Sequence, residues 1–146
     1  MDMIGVRAWA ALMRVHAAVV PALDAELRAA CGLPLACYDV LLELAYAPDG
    51  RLLMSELGER VVLSRTRVSR LVDELEDVGY VRRIPHPQDR RATYAVLTPT
   101  GRRRQRTAAP VYLAAIVTHF ARHLDQRQLT TIATALERVV DAESES

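Results

Sequence analysis

The chain has 146 residues, enough for one domain with a real core, and its composition, 51% hydrophobic and 25% charged, is that of a globular protein. Two cysteines are too few for a secreted disulfide scaffold, and the start MDMIGVRAWAALM lacks the basic opening and small-residue cleavage site of a signal peptide. No uninterrupted apolar run approaches the roughly 20 residues of a membrane span, so a cytoplasmic protein without membrane association is expected.

The net charge of +1 conceals an asymmetry. Residues 51–106 carry 13 arginines against 7 acids, whereas the remainder carries 6 against 11. Every basic residue is arginine, a bias that follows first from a GC-rich genome. Its concentration in the middle of the chain marks that segment as the one suited to a polyanion.

In chain order, a first helix is predicted from about Val6 to Ala30, with Trp9, Leu12, Met13, His16, Val20, Leu23 and Leu27 at helical spacing and Pro21 as a kink. Gly32 ends it. Pro34 opens a second helix with a stripe of Leu35, Tyr38, Leu41, Leu42 and Ala45. After the turn 47–50, Arg51 to Leu53 reads as a short strand able to cover the edge of a later hairpin. A short helix from Met54 to about Val61 precedes one capped by the Ser64 hydroxyl and running to Val78, which together make a helix-turn-helix. Gly79 stops that helix, and Tyr80–Ile84 and Thr93–Leu97 form two strands joined by the loop HPQDRRA. Thr98-Pro99 opens a long helix to about His123, with Pro110 as a second kink. Asp125 and Gln128 form the capping box of the last helix, whose stripe is Leu129, Ile132, Leu136, Val139 and Val140.

On a helical wheel, Val68, Leu71, Val72, Leu75 and Val78 share one side of the 64–78 helix, and Thr66, Ser69, Arg70, Asp73 and Asp77 fall opposite, with Arg65 and Arg67 at the flanks. An apolar side that docks and a first two turns offering hydroxyls and guanidiniums suit base edges in a major groove, where arginine can take both acceptors of guanine. The acids Asp73, Glu74, Glu76 and Asp77 repel phosphates, which restricts groove entry to the N-terminal half. Alone, such a helix reads equally as a solvated amphipathic surface helix. The hairpin favours the DNA reading, because Gln88, Arg90 and Arg91 sit at a tip braced by Pro85 and Pro87, within reach of a backbone or narrow minor groove. Asp89 is assigned the orientation of that loop, through a carboxylate pair with the Arg91 guanidinium.

The run from Leu57 to Gly101, with LSRTRVSRLVDELEDVGYVRR, the wing PQDRRATYAVLTPTG and the helical flanks, resembles the MarR family of bacterial winged-helix transcription regulators. The most specific stretches are Asp89-Arg90-Arg91 and Leu97-Thr98-Pro99-Thr100-Gly101. The resemblance implies a mainly α fold with a small β-hairpin (α+β): a winged helix-turn-helix at 34–97, flanked by dimerisation helices at 1–33 and 98–146. It implies a homodimer on a palindromic operator in double-stranded DNA, more often a repressor. Ser64, Arg65, Thr66, Arg67, Ser69 and Arg70 match the family's reading helix, and Arg90 and Arg91 its wing. Leu53 departs from the pattern, standing where a Ser or Thr cap is common.

The resemblance further implies response to a small, often aromatic or phenolic, ligand where the dimerisation helices meet the winged helix. Trp9, Met13, His16, Tyr38 and Leu42 are the candidate lining, although the reading of His16 and Tyr38 as core residues with internal hydrogen bonds is preferred to a ligand site. Cys31 and Cys37 are read as inert thiols. His119 and His123, spaced i, i+4, are read as solvated or helix-end groups rather than metal ligands. No metal or cofactor is expected. With no glycine-rich phosphate loop, nucleophile elbow or metal-binding His-Glu helix pair, an enzyme is not expected either. A winged helix used for protein interaction, or as a non-specific architectural DNA-binding module, stays as the alternative.

Overall fold

A computed structural model describes residues 3–61 and 65–146, Arg65 by its backbone only. The elements are α1 (Met3–Cys31), α2 (Leu35–Tyr46), β1 (Arg51–Leu53), α3 (Met54–Arg60), α4 (Arg65–Asp77), β2 (Val81–Pro85), β3 (Thr93–Leu97), α5 (Pro99–His119) and α6 (Gln126–Ser144). The predicted order is present throughout. The Ser64 cap lies outside the described residues. Helices α1 and α5 run on past Pro21 and Pro110.

Contacts divide the chain into two compact units, residues 1–23 with 113–146, and residues 24–112. This division falls inside α1 and α5, whereas the sequence division at 33 and 98 follows helix ends. The reason is visible in residues that bind the inner ends of both helices to the winged helix. The Asp24 Oδ1 atom accepts the Leu35 N–H at 2.9 Å, Arg104 donates to the Cys31 carbonyl at the end of α1, and Leu27 and Ala108 are fully buried.

In the 24–112 unit, β1, β3 and β2 form an antiparallel sheet in that order, with Leu52 opposite Ala95 and Val81 opposite Leu97. Those four side chains are buried and meet Tyr38, Val40, Leu41 and Leu44 of α2, Leu57 of α3, and Val68, Val72 and Leu75 of α4 in one core. Leu53 has no side-chain acceptor to cap α3, yet that end is ordered from the other direction, because Glu56 Oε1 accepts the Leu53 N–H at 3.0 Å.

Val78 departs from the predicted apolar stripe, being 57% exposed. The helix stops one residue earlier. Gly79 takes φ +79°, its N–H reaches the Glu76 carbonyl and the Tyr80 N–H reaches Leu75, which leaves Val78 as the C-cap residue, turned outward.

The turn from β3 into α5 is tied by Thr98, whose Oγ1 donates to the Gly79 carbonyl at 2.6 Å and accepts the Gly101 N–H at 3.0 Å. A side chain on Gly101 would collide with the Tyr80 carbonyl and stand 2.9 Å from Leu97 Cδ1, so only glycine lets the first turn of α5 lie this close to the Tyr80 backbone.

In the other unit, α6 opens on the predicted capping box. Asp125 Oδ1 accepts the Gln128 N–H at 2.8 Å, and Gln128 Oε1 accepts the Asp125 N–H at 3.0 Å. Much of the apolar surface here is exposed, including Met3, Ile4, Val6, Trp9, Leu113, Val117, Val139 and Val140. By length and composition α1 would also suffice to cross a membrane, with an 18-residue window of mean hydropathy 1.4. Counting uninterrupted apolar runs missed this, because Arg7 and Arg14 break the run without lowering the average enough.

Candidate nucleic-acid interface

Helix α4 presents two faces. Val68, Leu71, Val72 and Leu75 are buried, and Thr66, Arg67, Ser69 and Arg70 are exposed on the first two turns. Ser64 and the Arg65 side chain, also assigned to the reading helix, lie outside the described residues.

Beyond them stands the wing, the 86–92 loop between β2 and β3. Gln88, Asp89, Arg90 and Arg91 are all exposed at its tip. The loop is closed by the His86 N–H on the Ala92 carbonyl at 3.0 Å and the Ala92 N–H on the Asp89 carbonyl at 3.1 Å. Asp89 orients it by another route than the pair expected from sequence. Its Oδ1 accepts the backbone N–H of Arg91 at 3.0 Å, and among the described residues no ion pair joins it to the Arg91 guanidinium. The Arg91 guanidinium is thus not held by Asp89.

Between the wing and α4 lies a cleft of about 480 Å³, whose polar lining includes Ser55, Ser69, Arg83, Asp89, Arg91 and Thr93. It brings together Ser69 of the reading helix and Arg91 of the wing, two residues far apart in sequence.

Arg83 is the residue that sequence reasoning missed. From β2 its Nη1 reaches Asp73 Oδ1 at 2.6 Å and Glu76 Oε1 at 3.0 Å, while Nη2 donates to the Ser69 carbonyl at 3.0 Å and lies 3.3 Å from Ser69 Oγ. Its backbone N–H also donates to Glu76 Oε2 at 3.0 Å. Two of the four acids expected to repel phosphates are therefore paired with one guanidinium of the protein itself, which offsets part of their charge and ties α4 to β2.

The remaining sequence candidates are dispersed. Trp9, Met13 and His16 are exposed residues of the 1–23/113–146 unit, with Trp9 at 62%. Tyr38 and Leu42 belong to the other unit. Tyr38 is fully buried, its ring 4.6 Å from that of Tyr112 and its hydroxyl 3.4 Å from Gln105 Nε2, and burial holds its ionisation above the usual range. It is a core residue with internal partners. Cys37 is buried and its thiol is pushed up to about 11, chiefly by desolvation, which leaves it un-ionised at neutral pH. Cys31 is half-buried, and both thiols are free. His119 ends α5 and His123 ends the short 3-10 turn after it, so the two do not share a helical face.

A helix-turn-helix followed by a two-stranded wing, with hydroxyls and guanidiniums on the exposed face of the second helix, defines a winged-helix protein of the nucleic-acid-reading type. Residues 32–92 match the MarR family. Over 76 residues the chain is 37% identical to the helix-turn-helix transcriptional regulator PrsX of Escherichia coli, a match covering 52% of this chain and 46% of that one, so it spans under half the length of that curated relative. The fold matches Sco3205, a MarR family transcriptional regulator from Streptomyces coelicolor solved in complex with DNA, with TM-score 0.86 and 28% identity over 97% of this chain and 89% of that one. It also matches CouR from Rhodococcus jostii RHA1, solved with p-coumaroyl-CoA, with TM-score 0.77 and 28% identity over 94% and 92%. The winged-helix segment thus carries the MarR family match, and the fold as a whole is similar to those of MarR family regulators.

Proposed function

We propose that this chain is a sequence-specific double-stranded DNA-binding transcription regulator of the cytoplasm, acting as a homodimer on a palindromic operator and as a repressor. The observation that carries the reading is the shared exposure of Thr66, Arg67, Ser69 and Arg70 on α4 beside Arg90 and Arg91 on the wing. In it, Arg70 and its neighbours read base edges, and Gln88, Arg90 and Arg91 hold the backbone. Ser64 and Arg65 are assigned to the same reading helix by the sequence match.

The homodimer is supported by the exposed apolar residues of α1, α5 and α6 and by an apolar groove of about 370 Å³ lined by Leu12, Val15, Phe120, Ile132 and Leu136. A monomer rarely leaves so much contiguous apolar surface in water, and a second copy of the chain is the occupant proposed for it. The apolar length of α1 is assigned to that interface rather than to a membrane. The p-coumaroyl-CoA held by CouR supports modulation by a small aromatic ligand. Such a ligand shifts DNA affinity only by its preference for one dimer state. Trp9, Met13 and His16 are exposed and available to that role, while Tyr38 is a buried core residue and Leu42 a half-buried one.

Fluorescence anisotropy on the duplex upstream of the chain's own gene, beside a scrambled duplex and at several salt concentrations, tests the reading. Preferential binding with a steep salt slope and two chains per site is expected. Equal, weak binding to both duplexes would favour an architectural role, and no binding at low salt would overturn the DNA reading.

A further inference from the structure

Within the wing loop, two backbone N–H groups share a single side-chain acceptor. His86 sits at its first position, and its Nδ1 accepts two backbone N–H groups, those of Gln88 and Asp89, each at 3.1 Å. Pro87 has no N–H to offer. The loop's other internal bonds are those of the His86 and Ala92 N–H groups to backbone carbonyls and of the Arg91 N–H to Asp89. The Gln88 and Asp89 N–H groups therefore share one imidazole lone pair, while the other bonds of the loop do not involve the ring.

The ring also packs against the sheet. It stacks on Tyr94 of β3, with centroids 5.4 Å apart and planes at 21°, and the Arg51 guanidinium of β1 lies 4.6 Å from the centroid of that tyrosine ring. The bonds fix the tautomer: the lone pair is on Nδ1 and the proton on Nε2. A proton on Nδ1 would turn an acceptor into a donor facing two donors, and both bonds would be lost together. Imidazole is the side chain whose ordinary titration spans about pH 5 to 8. Among the described residues, the ring bonds the Asp89 N–H and stacks on Tyr94, which Arg51 covers, and Arg90 and Arg91 belong to the same loop.

We propose that His86 is a positioning residue of the wing, which holds the DNA-contacting tip in place only while its imidazole is neutral and so makes DNA affinity respond to protonation. The inference deepens the DNA-binding reading and rests on it for the affinity consequence, but not for the cap itself. Protonation has two opposed effects on DNA binding. It adds a positive charge near the phosphates, and it removes the order of the loop that presents Arg90 and Arg91. In this proposal the loss of order prevails.

Two measurements on the full chain decide it. In the free protein, amide exchange of Gln88 and Asp89 is compared with that of Ala92, whose N–H is tied to a backbone carbonyl, between pH 8 and 5.5. The first two should lose protection relative to the third as the pH falls, and a constant ratio over that range would overturn the cap. DNA affinity is then measured over the same range at fixed ionic strength for wild type, H86N and H86A. Asparagine keeps an oxygen acceptor for the two N–H groups and does not titrate. Wild type should lose roughly three- to tenfold relative to H86N on going to pH 5.5, the equivalent of about one net hydrogen bond. H86A should bind more weakly than H86N at both ends. A constant ratio of wild type to H86N, or one that rises on acidification, would overturn the proposal. If no duplex bound at any pH, the DNA reading would fail while the amide ratios still decided the cap.

Discussion

The Arg83 guanidinium, on the first strand of the wing, lies 2.6 Å from the Asp73 carboxylate on the reading helix, and the same nitrogen lies 3.0 Å from Glu76. One side chain thus joins the two elements that the DNA reading needs at a fixed angle. Replacing Arg83 by Ala is expected to cost about 1–2 kcal/mol of stability, a figure discounted because Asp73 is largely exposed, and to weaken DNA binding as Asp73 and Glu76 become uncompensated beside the phosphates. Lysine keeps the charge but cannot span two carboxylates and the Ser69 carbonyl together, so R83K should recover only part of either loss. Urea denaturation and duplex titration of the three proteins check this. Full recovery by R83K would show that charge alone matters.

Specificity and affinity should separate between the helix and the wing. Replacing Arg70 by Ala is expected to remove preference at one base pair, with a loss of roughly 1–3 kcal/mol on the operator and little on a scrambled duplex. Replacing Arg90 and Arg91 together should weaken both duplexes alike and flatten the salt dependence by about 0.9 log units for each phosphate that the wing no longer neutralises. An unchanged salt slope in the double variant would remove the wing from the interface.

Gly101 gives a prediction about the scaffold. A methyl group there meets the Tyr80 carbonyl, a backbone atom held by the Thr98 N–H at 3.0 Å, so the neighbour cannot yield without disturbing the junction of β3 and α5. G101A is expected to lose about 2–3 kcal/mol in chemical denaturation, in the upper range for overpacked sites. A loss under about half a kcal/mol would mean that the first turn of α5 has room to shift away from Tyr80.

The sequence made the element order legible because each boundary carries its own chemistry. Examples are the Asp125/Gln128 capping box, the Gly79 stop, and the prolines that bound the wing. The exposed side of α4 was legible because helical periodicity alone separates Val68, Val72 and Leu75 from Thr66 and Arg70. Arg83 was hidden for the opposite reason. Its role depends on a strand register that turns residue 83 toward α4, and on the packing distance between strand and helix, neither of which is local. In the same way, Asp89 was assigned a guanidinium partner by charge, when the nearest donor in its turn was a backbone N–H two residues on. His86 carried no sequence signal for its role, since an acceptor for two amides is recognised only once the loop is closed.

Asp39 on α2 supplies a pH test of stability that does not involve DNA. Its carboxyl is partly buried and is pushed up to about 6, chiefly by desolvation, with Glu43 adding repulsion. In an unfolded chain the same group ionises near 4. Between those values the folded state holds a proton that the unfolded state has released, so this residue's contribution falls as pH rises through about 4 to 6, and above that range the charge opposes folding. Replacing Asp39 by Asn removes the charge and nearly keeps the shape. D39N should match wild type near pH 4 and exceed it at pH 8 by roughly 1–2 kcal/mol, allowing for the solvent that still reaches the group. Urea midpoints at both pH values and one protein concentration make the comparison. A D39N chain less stable than wild type at pH 8 would mean that the Asp39 carboxylate has a partner that stabilises its charge.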